Sequence, residues 1–115
     1  MKLPGMANVH SHAFQRLLRG DVQRRDLGRK DTFWTWREAM YDLALRLDLD
    51  ALEAAARLTY AESLEAGYTA IGEFHYVHHA PDGQPYPDPV AAARAMMRAA
   101  RQTGIRLTLL WTAYA

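Results

Sequence analysis

Asn8-Val9-His10-Ser11-His12 sets two imidazoles two residues apart, at the end of a short apolar run that follows Leu3-Pro4-Gly5-Met6. In an extended strand such residues face the same way, about 6.5 Å apart along the chain. Two imidazoles placed like this can converge on one divalent ion, each at about 2.0–2.1 Å. On spacing alone the pattern more readily describes a pair of partly buried or solvated histidines. The other three histidines, His75, His78 and His79, lie with Glu73 and Tyr76 in a second segment, so all five histidines of the chain fall in two places. A metal site or a proton-transfer site produces such clustering, although five residues can also cluster by chance.

Those residues need elements to position them. Residues 6–12 read as the end of a buried strand. Over 37–47 the apolar positions Met40, Leu43, Ala44 and Leu47 share one helical face. A second helix is marked by Asp50 as N-cap and Glu53 three residues later, a capping-box pairing. Leu52, Ala56, Tyr60 and Leu64 then form its apolar stripe, Glu53 and Arg57 can pair on its outside, and Gly67 stands where a left-handed residue is wanted. Residues 68–74 are strand-favouring, and a Pro-rich loop runs over 75–87. Asp88-Pro89 opens an Ala-rich helix over 89–103, ended by Gly104, and 105–112 is a third strand. The resulting division is strand 1 at about 6–12, a helical insertion at 13–66, strand 2 at about 68–74, a helix at 89–103 and strand 3 at about 105–112.

Alternating strands and helices imply right-handed crossovers and a parallel sheet, so the fold class is α/β. A parallel sheet is normally covered on both faces and protected at its edges. Three strands leave both edges open, so residues 1–115 read as the first three β/α units of a (β/α)8 TIM-type barrel, a fold of about 250 residues. A small three-layer α/β domain is the structural alternative. In a barrel the active-site residues stand at the C-terminal ends of the strands, which is where His10, His12, Glu73, His75 and Tyr76 fall. Glu73 is expected to point into the barrel or just above it, with no role assigned.

The bulk numbers narrow the partners. The chain has 115 residues, 50% of them apolar, with 14 Lys and Arg against 13 Asp and Glu for a net charge of +1. That balance gives no reason for nucleic acid or an anionic membrane as an obligatory partner. Arginines are dense from Arg16 to Lys30, but without interleaved aromatics or a known module they read as a solvated surface. The absence of cysteine excludes disulfides and Cys-ligated zinc. No apolar run approaches the roughly 20 residues that span a bilayer, and a cytoplasmic protein is the expectation.

The stretch from Leu3-Pro4-Gly5-Met6 through His10-Ser11-His12-Ala13-Phe14-Gln15-Arg16 resembles the first barrel strand of the amidohydrolase superfamily. Phe33-Trp34-Thr35-Trp36-Arg37-Glu38-Ala39-Met40-Tyr41, Glu65-Ala66-Gly67-Tyr68-Thr69 and Gly72-Glu73-Phe74-His75-Tyr76-Val77-His78-His79 are similar to the formimidoylglutamate deiminase family within it. The His-x-His element is specific only to the superfamily, whereas the Trp-rich and His-rich blocks discriminate further. The resemblance implies metal-dependent hydrolysis of N-formimidoyl-L-glutamate to N-formyl-L-glutamate and ammonia in histidine degradation. It implies one divalent metal ion, zinc before others, held in part by His10 and His12. It implies substrate contacts from Gln15, Arg37 and Tyr76, with Arg37 and Tyr76 on the glutamate portion.

A guanidinium offers a planar, bidentate grip on a carboxylate, and a phenol adds an oriented donor. As a plain surface residue near a helix N-terminus Arg37 would oppose the helix dipole, while Tyr76 would serve equally as a rim aromatic. His75, His78 and His79 would shape the pocket or hydrogen-bond the groups behind it. Trp34 and Trp36 would pack on the rim. In the family a further ligand His and an acid/base Glu come from the fifth strand, a His from the sixth and a ligand Asp from the eighth. A small β-sandwich usually precedes the barrel. No catalytic residue proper is therefore expected within these 115 residues, and the segment alone is expected to be inactive. The implied partner is a small-molecule substrate, with a homodimer possible for a longer chain. The rival readings are another deaminase of the superfamily acting on a purine-like substrate, and an inactive truncated module.

Overall fold

The computed structural model describes residues 3–20, 22 and 33–113. Strand β1 (Met6–Ser11) leads into a short 3-10 helix (Ala13–Leu18). Helices α1 (Phe33–Ala44) and α2 (Leu49–Glu65), strand β2 (Tyr68–His75), helix α3 (Ala91–Thr103) and strand β3 (Arg106–Trp111) follow. The strands form one parallel sheet in the order β1-β2-β3. Of the basic stretch 16–30, Asp21 and 23–30 lie outside the described residues, as do 31 and 32 of the helical insertion.

α2 buries Leu52, Ala55, Ala56 and Tyr60, while α3 buries Ala92, Ala95, Met96, Ala99 and Ala100. Small alanine side chains let these two helices approach each other and the sheet closely. Ile71 of β2, Phe14 of the 3-10 helix and Met40 of α1 complete the same core. β2 alternates: Ile71, Glu73 and His75 are buried, and Gly72 and Phe74 between them less so. The buried set faces the helices. On the opposite face a groove is lined only by strand residues, among them Ala7, Val9, Ala70, Gly72, Thr108 and Leu110.

Several local expectations are corrected. The N-cap of α2 is Asp48, whose carboxylate accepts from the Ala51 N–H at 2.8 Å, so Asp50 lies inside the first turn. Either aspartate has the chemistry, and the helix takes the earlier one because Leu47 is drawn into the core. Glu53 does not pair along its own helix with Arg57. Its oxygens take Arg98 at 2.7 Å and Gln102 at 3.0 Å, both on α3, while Arg57 donates to Gln102 at 3.2 Å. Close packing of the alanine-rich helices makes the partner helix nearer than the next turn. Asp88-Pro89 forms a turn before α3, with Asp88 accepting from the Val90 N–H at 3.1 Å, and the helix begins at Ala91. The first long helix starts at Phe33 rather than 37 and stops at Ala44. Gly67 takes φ 91° directly after α2, a conformation costly for any residue with a Cβ.

Candidate metal centre and its surroundings

The ladder between β1 and β2 is interrupted just where the first histidine stands. Asn8 pairs with Ile71 and Ser11 with Glu73, so three steps on β1 match two on β2. The extra residue is a bulge. Its backbone is satisfied locally, because the His10 N–H donates to the Asn8 side-chain oxygen at 3.1 Å. Gly72 lies opposite, and a Cβ there would meet the Val9 carbonyl oxygen at 3.0 Å. Only glycine lets the bulged strand come this close without a shift.

The bulge brings the two rings together. Nε2 of His10 lies 3.0 Å from Nε2 of His12, with the rings edge-to-face at a centroid distance of 4.8 Å. The His10 ring stacks on Phe74 at 4.4 Å. Nδ1 of His12 lies 3.0 Å from the Phe74 carbonyl oxygen, which can only accept, so Nδ1 carries the proton and Nε2 presents a lone pair. Two nitrogens bound to one tetrahedral ion would stand about 3.4 Å apart, close to the distance seen. Donor type, tautomer and separation therefore fit half of a metal coordination sphere. Among the described residues no group of three or more His, Cys, Asp or Glu is arranged to hold an ion.

Beside the pair lies a polar cluster. The Tyr76 ring packs on His12 at 5.0 Å, and the Gln15 amide donates to the Tyr76 hydroxyl at 2.7 Å. Met40 of α1 lies within 3.5 Å of both, through its sulfur. Arg37, one turn earlier on α1, directs Nε and Nη2 to the Tyr41 hydroxyl at 3.0 and 2.7 Å, with its guanidinium over the Trp34 and Tyr41 rings. Tyr41 and Tyr76 line one pocket with Phe14, Met40, His78 and His79. The structure thus brings Tyr76 against His12 and the Gln15 amide against Tyr76, and joins Arg37 to that neighbourhood through Tyr41. Trp34 is exposed, whereas Trp36 packs against the core.

The remaining candidates sit behind this face. Glu73 points toward α2, not into the barrel side of the sheet, because strand alternation gives that side to Phe74. Burial pushes its carboxyl above the usual range, partly offset by the hydrogen bond from the Ala13 N–H and by the nearby Ser11 hydroxyl. Burial, and the neighbouring Glu73, likewise push the Tyr60 phenol upward. His75 is 3% exposed, and burial with help from His78 lowers its imidazole to about 4. Nε2 of His78 donates to the Thr112 carbonyl at 2.9 Å while its ring stacks on Trp111 at 4.4 Å. Nε2 of His75 and Nδ1 of His78 are buried without a hydrogen-bond partner. Sequence reasoning passed over Tyr41 and Phe74. The first has a signal, an aromatic one helical turn from Arg37; the second acts through its carbonyl, which has none.

The Amidohydrolase family profile matches residues 1–115. The chain belongs to that family, and its α/β fold with three parallel strands is that of the N-terminal part of a (β/α)8 barrel. It is 50% identical over 112 residues to formimidoylglutamate deiminase of Pseudomonas aeruginosa, covering 97% of this chain and 24% of that protein. It is 34% identical over 76 residues to 5-methylthioadenosine/S-adenosylhomocysteine deaminase 2 of Archaeoglobus fulgidus, covering 66% of this chain and 17% of that protein. The crystal structure of an amidohydrolase from Brucella melitensis superposes with a TM-score of 0.83 at 48% identity, over 94% of this chain and 24% of that one. The chain therefore spans about a quarter of the length of the most similar of these proteins.

Proposed function

We propose that these residues form the opening part of a metal-dependent deiminase that hydrolyses N-formimidoyl-L-glutamate to N-formyl-L-glutamate and ammonia, a step of histidine degradation. What carries the reading is the juxtaposition of two converging imidazoles with the Gln15–Tyr76 pair, in a chain half identical to a formimidoylglutamate deiminase. His10 and His12 would hold one divalent ion, zinc first, with its other ligands and the acid/base residue supplied by strands outside these 115 residues. When bound, such an ion supplies an activated water for attack on the amidine carbon.

The chain's own side chains do the rest of what this segment contributes. The Phe74 carbonyl keeps the proton of His12 on Nδ1, so that Nε2 stays a donor of electron pairs. Arg37 would bind a substrate carboxylate, its guanidinium already oriented by the Tyr41 hydroxyl and the Trp34 ring. The Tyr76 hydroxyl and Gln15 amide, fixed to each other, would orient the glutamate portion beside the imidazoles. Holding the substrate by groups already in place converts binding into orientation and lowers the entropic part of the barrier.

A second reading is favoured by the similarity to a deaminase of adenosine-type compounds. It shares the two histidines but has no use for a carboxylate grip at Arg37. Ammonia release by the full-length protein, with formimidoylglutamate and with a purine nucleoside, separates the two. Arg37→Met should raise KM for formimidoylglutamate by about 10- to 100-fold, the loss of one charge-assisted pair. Turnover of the purine alone, unchanged in Arg37→Met, would transfer the assignment to the second reading.

A further inference from the structure

Glu73 is 1% exposed, yet the roles above make no use of it. Its Oε1 accepts from the Ala13 N–H at 2.7 Å, and its Oε2 is buried without a hydrogen-bond partner. Ser11 is its register partner across the sheet. The register partner and the amide donor fall on either side of His12. The next residue, Phe74, holds the His12 ring itself through its carbonyl. Two successive residues of β2 therefore hold residues 12 and 13 of the first segment.

The local chain cannot do this for itself. His12 occupies the cap position of the 3-10 helix and provides no side-chain cap, since its ring is turned to His10 and Phe74. The first N–H of that helix would be an orphan donor in a buried place, as Ala13 is 1% exposed. Glu73 supplies the missing acceptor from across the sheet, and Thr59 of α2 donates to the Ala13 carbonyl at 3.1 Å. A buried carboxyl with its second oxygen unpartnered is costly to keep.

We propose that Glu73 is a positioning residue for His12: by holding the Ala13 amide, the residue next to that histidine, it sets the angle at which the imidazole meets a divalent ion. The proposal rests on the reading that His10 and His12 are metal ligands. It is tested in the full-length protein with Co2+ as the probe, reading the affinity and the visible ligand-field spectrum. Hydrogen exchange of the 11–14 peptide in the metal-free protein gives an independent readout. Glu73→Leu removes the acceptor at similar size; Glu73→Gln keeps an acceptor oxygen for Ala13.

Glu73→Leu should weaken Co2+ binding about 10- to 100-fold, alter the spectrum and speed exchange at 11–14, while Glu73→Gln stays within about threefold of wild type. A folded Glu73→Leu that binds Co2+ like wild type, with the same spectrum, overturns the proposal, as does Glu73→Gln being as damaged as Glu73→Leu. Should Glu73→Leu not fold, Glu73→Asp decides, since the shorter side chain draws the acceptor away from the Ala13 N–H: a changed spectrum supports the clamp and an unchanged one overturns it. His12→Ala separates the two levels. If it leaves Co2+ binding intact, the metal reading itself has failed. If it abolishes binding while Glu73→Leu does not, only the positioning role has.

Discussion

At the scale of the residue, two buried ionisable groups on β2 give opposite pH dependences. The imidazole of His75 is lowered by burial and by His78 to about 4, from its ordinary 6.5. Between those values the unfolded chain binds a proton that the folded chain does not, so stability rises with pH through this window. It is lost on acidification at roughly 1 kcal/mol per pH unit. Glu73 has its carboxyl raised by burial above the ordinary 4.5, so the folded chain keeps that proton longer. Its contribution is full below the ordinary value and is lost as pH rises through the raised one. The two effects oppose each other above pH 4.5. Urea unfolding of wild type and Glu73→Gln between pH 4 and 7 reads the difference. The variant, freed of the Glu73 dependence while keeping that of His75, should lose stability more steeply on acidification; parallel profiles would refute the assignment.

At the scale of the element, the bulge in β1 is what turns a histidine pair into a convergent one. It requires glycine opposite, since a Cβ on Gly72 would lie 3.0 Å from the Val9 oxygen and 3.3 Å from its carbonyl carbon, both backbone atoms that cannot rotate away. Gly72→Ala should therefore cost about 1–3 kcal/mol of stability and weaken Co2+ binding by displacing His10. Denaturant midpoints and metal titration check both. A variant as stable as wild type, with unaltered affinity, would show that the bulge has slack. The helices tell a complementary story. Their apolar stripes were legible, and Leu52, Ala56 and Tyr60 are buried as their spacing indicates. Which of Asp48 and Asp50 caps α2, and which partner Glu53 takes, were not legible. Competing local options of similar energy are decided by what packs alongside.

At the scale of the whole molecule, the sheet has helices on one face and, among the described residues, two unpaired edge strands, β1 and β3. Large apolar side chains stand exposed there and on the neighbouring segment, including Leu3, Val9, Leu110 and Trp111. Open parallel edges with apolar surface favour self-association. The 115-residue chain prepared alone should run as oligomers in size-exclusion chromatography, and should release no ammonia from formimidoylglutamate. Its two imidazoles leave a four-coordinate ion half satisfied, so Co2+ should bind weakly if at all. A monomer with stoichiometric, tight Co2+ and measurable turnover would defeat this expectation. No helix among the described residues is long and apolar enough to cross a membrane.

The sequence by itself determined the α/β class, the alternation of elements and the two clusters of histidine, because period and residue type are local properties that need no partner to be read. Tertiary structure alone decided that His10 and His12 share a point 3.0 Å wide between their nitrogens, since a one-residue bulge is invisible in a pattern of side chains. It decided the tautomer of His12, which hangs on a backbone carbonyl 62 residues away. It also decided that Glu73 faces the helices and reaches the Ala13 amide. Each of these is a contact between segments distant in the chain, where geometry is set by packing rather than by neighbouring residues.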